Sequence, residues 1–256
     1  MRATNLGFIC RGRRLTVVIF ALALWWPVCA PAQSPLIIGT SYKVLLSTPA
    51  QDGMLDRIAQ EAFRRLGLTI ELPYLATERS IRMANEGYHD GELNRVAGME
   101  KLYPNLVRVD EPMMVFEFVA FTKKTALTGG DWAVLRPHQI GIIKGWKILE
   151  AKVGHYPRLT YYHSADDLFR GLAADRVDVI LYGRRIGLAV KERLGLAHIR
   201  AVAPPFAVRP MYLYLHKKHR HRAVALAAAL KEMKGDGTYA DIEAQAMAPL
   251  GFVETP

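Results

Sequence analysis

The stretch "LAADRVDVILYGRR", residues 172–185, decides how the rest of the chain is read. Residues 177–181 are apolar apart from Asp178, the pattern of a strand covered on both faces. A helix over 165–175 precedes it, with Ser164 as cap and Asp166 and Asp167 in the first turn, where the helix dipole favours acidic groups. A second helix follows over 185–194. A buried strand between two helices is the unit of an α/β sheet, and such sheets hold ligands beyond the carboxyl ends of their strands. The strand ends in Tyr182, Gly183, Arg184 and Arg185, so these residues become the first candidates for a site.

The same alternation extends in both directions. Strands are expected at 36–40, 69–75, 91–96 and 107–109, with helices at 48–66 and 78–86. Thr48, Pro49 and Gln51 read as a capped start of the first helix, and Gly67 and Gly87 as helix stops. Further strands are expected at 139–143, 159–162 and 198–202, and a helix at 146–153. Long extended segments at 113–123 and 206–215 interrupt the βα alternation. Two helices, 221–234 and 239–248, close the chain around Gly235, Asp236 and Gly237.

The N-terminal residues have a different character. Arg2, Arg11, Arg13 and Arg14 precede an apolar run over 15–28, and Ala30-Pro31-Ala32 supplies small residues for cleavage. This is the pattern of a secretory signal peptide over 1–32. A membrane anchor is the competing reading, but the run is shorter than the ~20 residues a spanning helix needs. Cys10 and Cys29, the chain's two cysteines, both lie there, and the bulky 26–28 segment does not suit lipidation of Cys29. Residues 33–256 therefore hold no disulfide and no thiolate. Four of the 34 basic residues precede residue 33 and none of the 24 acidic ones do, which leaves +6 for the remainder. That charge suits an anionic small ligand and is not gathered into the stripe that nucleic acid requires.

Phosphate-loop, HExxH and GxSxG motifs are absent from the sequence. The histidines of "HKKHRHR", 216–222, read as a solvated basic loop rather than a metal site, and no cofactor is expected.

Four segments in order resemble the family-3 periplasmic solute-binding proteins of amino-acid ABC transport. They are 36–66, "YHDGELNRVAGMEKLYPNLVRVDEPM" (88–113), "HSADDLFRGLAADRVDVILYG" (163–183) and "MKGDGTYADIEAQ" (233–245). The resemblance implies a two-lobed type II periplasmic-binding fold, each lobe a mainly parallel sheet flanked by helices, joined by two crossing strands. Lobe one would comprise 33–120 and 207–256, and lobe two 121–206. It implies a periplasmic monomer that closes on a small solute and presents it to an ABC transporter permease or a membrane sensor. In the family, an aspartate after the second-lobe strand holds the ligand's ammonium. Gly183 stands there in this chain, and Glu100 and Tyr103 stand where the family's loop threonine and arginine would fall.

The expected ligand is therefore a small carboxylate without a required ammonium. Arg95, at the end of a strand, would clamp it through paired hydrogen bonds, or else pair internally with Glu92 or Glu100. Lys144, Trp146 and Lys147 surround Gly145, where free backbone N–H groups attract anions. Tyr182 and Arg184 would line the cleft, with Gly183 leaving room for the ligand. Tyr42, with Lys43, would contact it from the first strand, and Arg79, beside Glu78, from the second helix. Arg185 is expected on a helix surface, and Asp110 and Glu111 in structural roles. Two rivals remain. A dehydratase or lyase on this fold could use Glu78, Glu92 or His163 as acid or base. A ligand-free signalling module would fill its own cleft with side chains.

Overall fold

The fully buried strand of the opening stretch forms as expected, as β8 (Val179–Gly183), and its partners show how the sheet is built. On one side β8 runs parallel to β6 (Ile140–Ile143), which is parallel in turn to β7 (Leu159–Tyr162). On the other side it pairs antiparallel with β5 (Met114–Thr122), from Phe118 opposite Gly183 to Thr122 opposite Val179. The computed structural model describes Met1 and residues 34–41, 45–124 and 126–247. The expected signal peptide, Tyr42 and Lys43 lie outside these residues.

The two long extended segments are the centre of the architecture. β5 and β10 (Ala207–His216) pair antiparallel over 114–118 and 207–211. Beyond that stretch each strand changes partner. β5 continues against β8 and the short β9 (Arg200–Ala201), and β10 continues against β3 (Gly91–Val96) and β4 (Leu106–Arg108). β1 (Leu36–Gly39) runs parallel to β3 and to β2 (Ile70–Glu71). The result is one mixed ten-stranded sheet ordered β2-β1-β3-β10-β5-β8-β6-β7. This corrects the expectation of two separate, mainly parallel sheets. The crossing strands are themselves hydrogen-bonded, so they weld the parallel portions into one sheet.

The helices follow the sequence pattern. α1 (Met54–Arg65) and α2 (Thr77–Glu86) precede the crossing strands. α3 (Lys147–Val153), α4 (Ala165–Ala173) and α5 (Arg184–Arg193) follow β6, β7 and β8. In α4, Ser164 Oγ accepts the Asp167 N–H as expected, at 3.1 Å. α1 starts six residues later than Thr48, because the buried Asp56 carboxylate binds the Thr48 and Gly53 N–H groups at 2.8 and 3.1 Å and holds the preceding segment as a turn. The closing helices α6 (Ala223–Gly235) and α7 (Thr238–Met247) return to α1. There Arg65 reaches Asp236 at 2.7 Å and the Thr238 hydroxyl at 3.0 Å. A single apolar core runs through both parts of the sheet, and a smaller cluster of Ile81, Met99, Tyr103 and Tyr214 lies beneath α2.

Candidate functional site

The carboxyl ends of β1, β3, β6, β7 and β8 converge on one region between α2 and α3, across the β5–β10 pair. Side chains alternate along β5, so Phe116 and Phe118 point to this region while Glu117 points away. The Trp146 ring stacks on Tyr182, centroids 4.7 Å apart, and meets Phe116 and Phe118 edge-on at 5.7 and 6.0 Å. Trp146 and Tyr182 are thus buried in an aromatic wall. Two gaps flank the wall. One, of about 30 Å³, lies between Asn94, Arg95, Gly145, Trp146 and Lys147 and has room for about one water. The other, of about 300 Å³, is lined by Ser41, Thr77, Trp146, His163, Ser164 and Tyr182.

The floor of the region holds a buried ion pair. Arg95 binds the Glu92 carboxylate and donates to the Thr77 carbonyl at 2.9 Å, while Ser80 Oγ donates to Glu92 at 2.6 Å. Arg95 is therefore tied internally to Glu92 rather than left free as a clamp. Its buried Nε has no partner. Close by, both amide atoms of Asn94 and the Ser41 hydroxyl are buried and unpartnered. Burying such atoms without partners costs free energy, and these groups mark the ends of β1 and β3 as the candidate site. Asn94 also has a left-handed backbone, φ 59°, which asparagine tolerates better than most residues. Neither Asn94 nor Ser41 stood out in the sequence. The signal would have been a short polar residue at a strand end, too common to single out.

The rim carries a second ion pair. Lys147 Nζ lies 2.7 Å from Glu78 on α2 and 2.9 Å from Glu150 on its own helix. Burial works against the Lys147 charge, but the two carboxylates more than offset it and raise its pKa above the ordinary value. Tyr103 donates to Glu78 at 3.3 Å, and burial and Glu78 together raise its phenol. The expected anion-attracting backbone is occupied: the Gly145 N–H donates to Glu150 at 2.7 Å. Gly145 has φ 91°, and a Cβ there would stand 2.8 Å from the Glu78 nitrogen, so the two backbones pass in close contact.

Other expected residues fall elsewhere. Gly183 does not leave room for a ligand, because a Cβ there would run into the Phe116 ring. Arg184 turns to the Glu117 side of β5 and pairs with that carboxylate, away from the aromatic wall. Arg185 is half-buried and reaches Glu243 on α7 at 2.6 Å, more than a surface role. Arg79 and Lys144 are exposed and line an open groove of about 550 Å³ beside the cleft with Arg82 and His163. Asp110 and Glu111 pair with Arg108 and Lys234 in structural roles. Among the described residues no helix is long and apolar enough to cross a membrane.

No family model matches the chain. A protein of Shewanella oneidensis MR-1, itself uncharacterized, is 26% identical over 201 residues, 75% of each chain. Among solved structures, a histidine kinase sensor domain described as similar to periplasmic binding proteins superposes with a TM-score of 0.75. It is 15% identical and covers 84% of this chain and 97% of its own. The substrate-binding protein of an amino acid ABC transporter gives 0.70 at 16% identity, over 84% of this chain and 100% of its own. The arginine-, lysine-, histidine-binding protein ArtJ of Geobacillus stearothermophilus gives 0.72 at 14%, over 87% and 97%. The chain therefore has the mixed α/β fold of the type II periplasmic binding proteins.

Proposed function

We propose that this chain is an exported solute-binding protein that works in the periplasm, closes on a small solute bearing a carboxylate, and is read by an ABC-type permease or a membrane sensor. Residues 33–120 with 207–256 act as one lobe and residues 121–206 as the other, and β5 and β10 act as the hinge between them. No bond chemistry is required. The solute stabilises the closed arrangement, and the partner responds to that population.

The observation that carries this reading is the set of buried, unpartnered polar atoms at the strand ends: Ser41 Oγ, the Asn94 amide and Arg95 Nε. They face the region where α2 and α3 meet, and the donors among them suit carboxylate oxygens. Lys147 adds a charge that a hinge motion can part from Glu78. The likeness of the fold to a transporter-binding protein and to a kinase sensor domain supports both delivery and sensing as readouts.

The test is calorimetry of the protein with the acids that stabilise it against heat. Asn94→Gly is expected to weaken binding roughly tenfold, about 1.4 kcal/mol, while keeping the left-handed backbone. Binding unaffected by Asn94→Gly would remove the site from this region. Turnover of the bound acid would replace the binding role with an enzymatic one.

A further inference from the structure

On the α3 side, the Gly145 N–H and the Lys147 ammonium already hold carboxylates of the chain itself. Glu150 takes the Gly145 N–H, and Lys147 lies between Glu150 and Glu78. The two carboxylates differ in origin. Glu150 sits three residues along the same helix and moves with Lys147. Glu78 belongs to α2, which packs on β1, β3 and β10, on the other side of the β5–β10 pair. Its link to Lys147 therefore exists only when the two sides are together. It is also the more exposed of the two pairs around the region, with side chains 31% and 23% accessible, so water and salt can compete for it.

We infer that Glu78 is a built-in competitor for the solute's anionic group: in the empty protein it holds Lys147 whenever the two sides meet, and a solute carboxylate takes its place. This rests on the carboxylate reading above and adds a residue that sets how tightly any such solute is bound. It also sets a requirement on the solute. A neutral molecule gives Lys147 nothing in exchange for Glu78 and leaves that ammonium with Glu150 alone.

Two readouts on the full chain separate this inference from the reading beneath it. The first uses no solute. Acrylamide quenching of tryptophan fluorescence follows exposure of Trp146, which is 7% accessible here. Glu78→Gln is expected to raise quenching and Glu78→Lys to raise it further, and both increases should vanish in a Trp146→Phe background. Unchanged quenching in both variants would overturn the clasp. The second titrates acetate against neutral acetamide. Glu78→Gln should bind acetate roughly tenfold more tightly than the wild type, Lys147→Gln should lose the response, and acetamide should give none. Equal acetate affinity in wild type and Glu78→Gln would overturn the competitor role and leave the carboxylate reading standing. Increased quenching without an acetate response in any variant would leave the clasp standing and overturn both the carboxylate reading and the competitor role.

Discussion

Two ion pairs lie within one region of this molecule and behave as opposites. Glu92–Arg95, on the floor, is almost wholly buried, with side chains 0% and 7% accessible, and is braced by Ser80 and the Thr77 carbonyl. Glu78–Lys147, at the rim, is partly exposed and joins helices from opposite sides of the crossing strands. In sequence each is simply a carboxylate and a cation, the first on one strand and the second at the starts of two helices. Burial separates them. A charge taken out of water needs its partner at all times, whereas a charge at the rim can exchange partners. The floor pair is held in place by burial, and the rim pair is open to exchange with water and ions.

The largest expected effect breaks the floor pair. Glu92→Ala leaves the Arg95 guanidinium buried without its carboxylate, and about 3–5 kcal/mol of stability should be lost. Urea unfolding measures this; a loss below about 1 kcal/mol would make the two pairs equivalent. Gly183→Ala comes next. The Phe116 ring fills the space beside Gly183, so the added methyl should cost about 1–3 kcal/mol. Much of that cost should return in a Phe116→Ala background, and a cost unaffected by Phe116 would place the strain elsewhere.

The rim pair is expected to matter less for stability. Glu78→Gln should cost no more than about 1 kcal/mol, with a difference that shrinks in high salt. A larger, salt-independent loss would make it a second floor pair. The smallest effect lies outside the cleft. Hydrogen bonding and charge from Arg64, with Arg65, hold the Glu61 carboxyl at about 2, against an ordinary 4.5. A depressed carboxylate stabilises the fold above the ordinary value and loses that contribution as pH falls towards the folded one. An acid titration between pH 4.5 and 2 should therefore be shallower in Glu61→Gln. An identical acid limb would show that this network contributes nothing.

Much of the fold was legible because its signals are local. The apolar run before Tyr182, the Ser164 cap and the glycine after α2 each declare an element from a few residues. The joining of the sheet was not legible, since the pairing of Phe116 with Arg209 and of Met114 with Met211 depends on residues about a hundred positions apart. The site divided in the same way. Trp146, Lys147 and Tyr182 were named because strand ends mark ligand positions in α/β sheets, and they fall in the candidate region. Arg95 was named for its charge, but the sequence left open whether Glu92 neutralises it. Gly183 reads as empty space until the ring of Phe116, from a strand more than sixty residues earlier, is found beside it. Ser41 and Asn94 stand out only through the partners they lack, which is a property of packing and not of sequence.

The central claim is most directly tested by a thermal-shift screen of organic acids, amino acids, neutral sugars and amines, run on wild type and Lys147→Gln side by side. The account predicts that the compounds raising the melting temperature carry a carboxylate, and that their effect disappears in Lys147→Gln. Selective stabilisation by a neutral sugar or an amine, equal in both proteins, would contradict it.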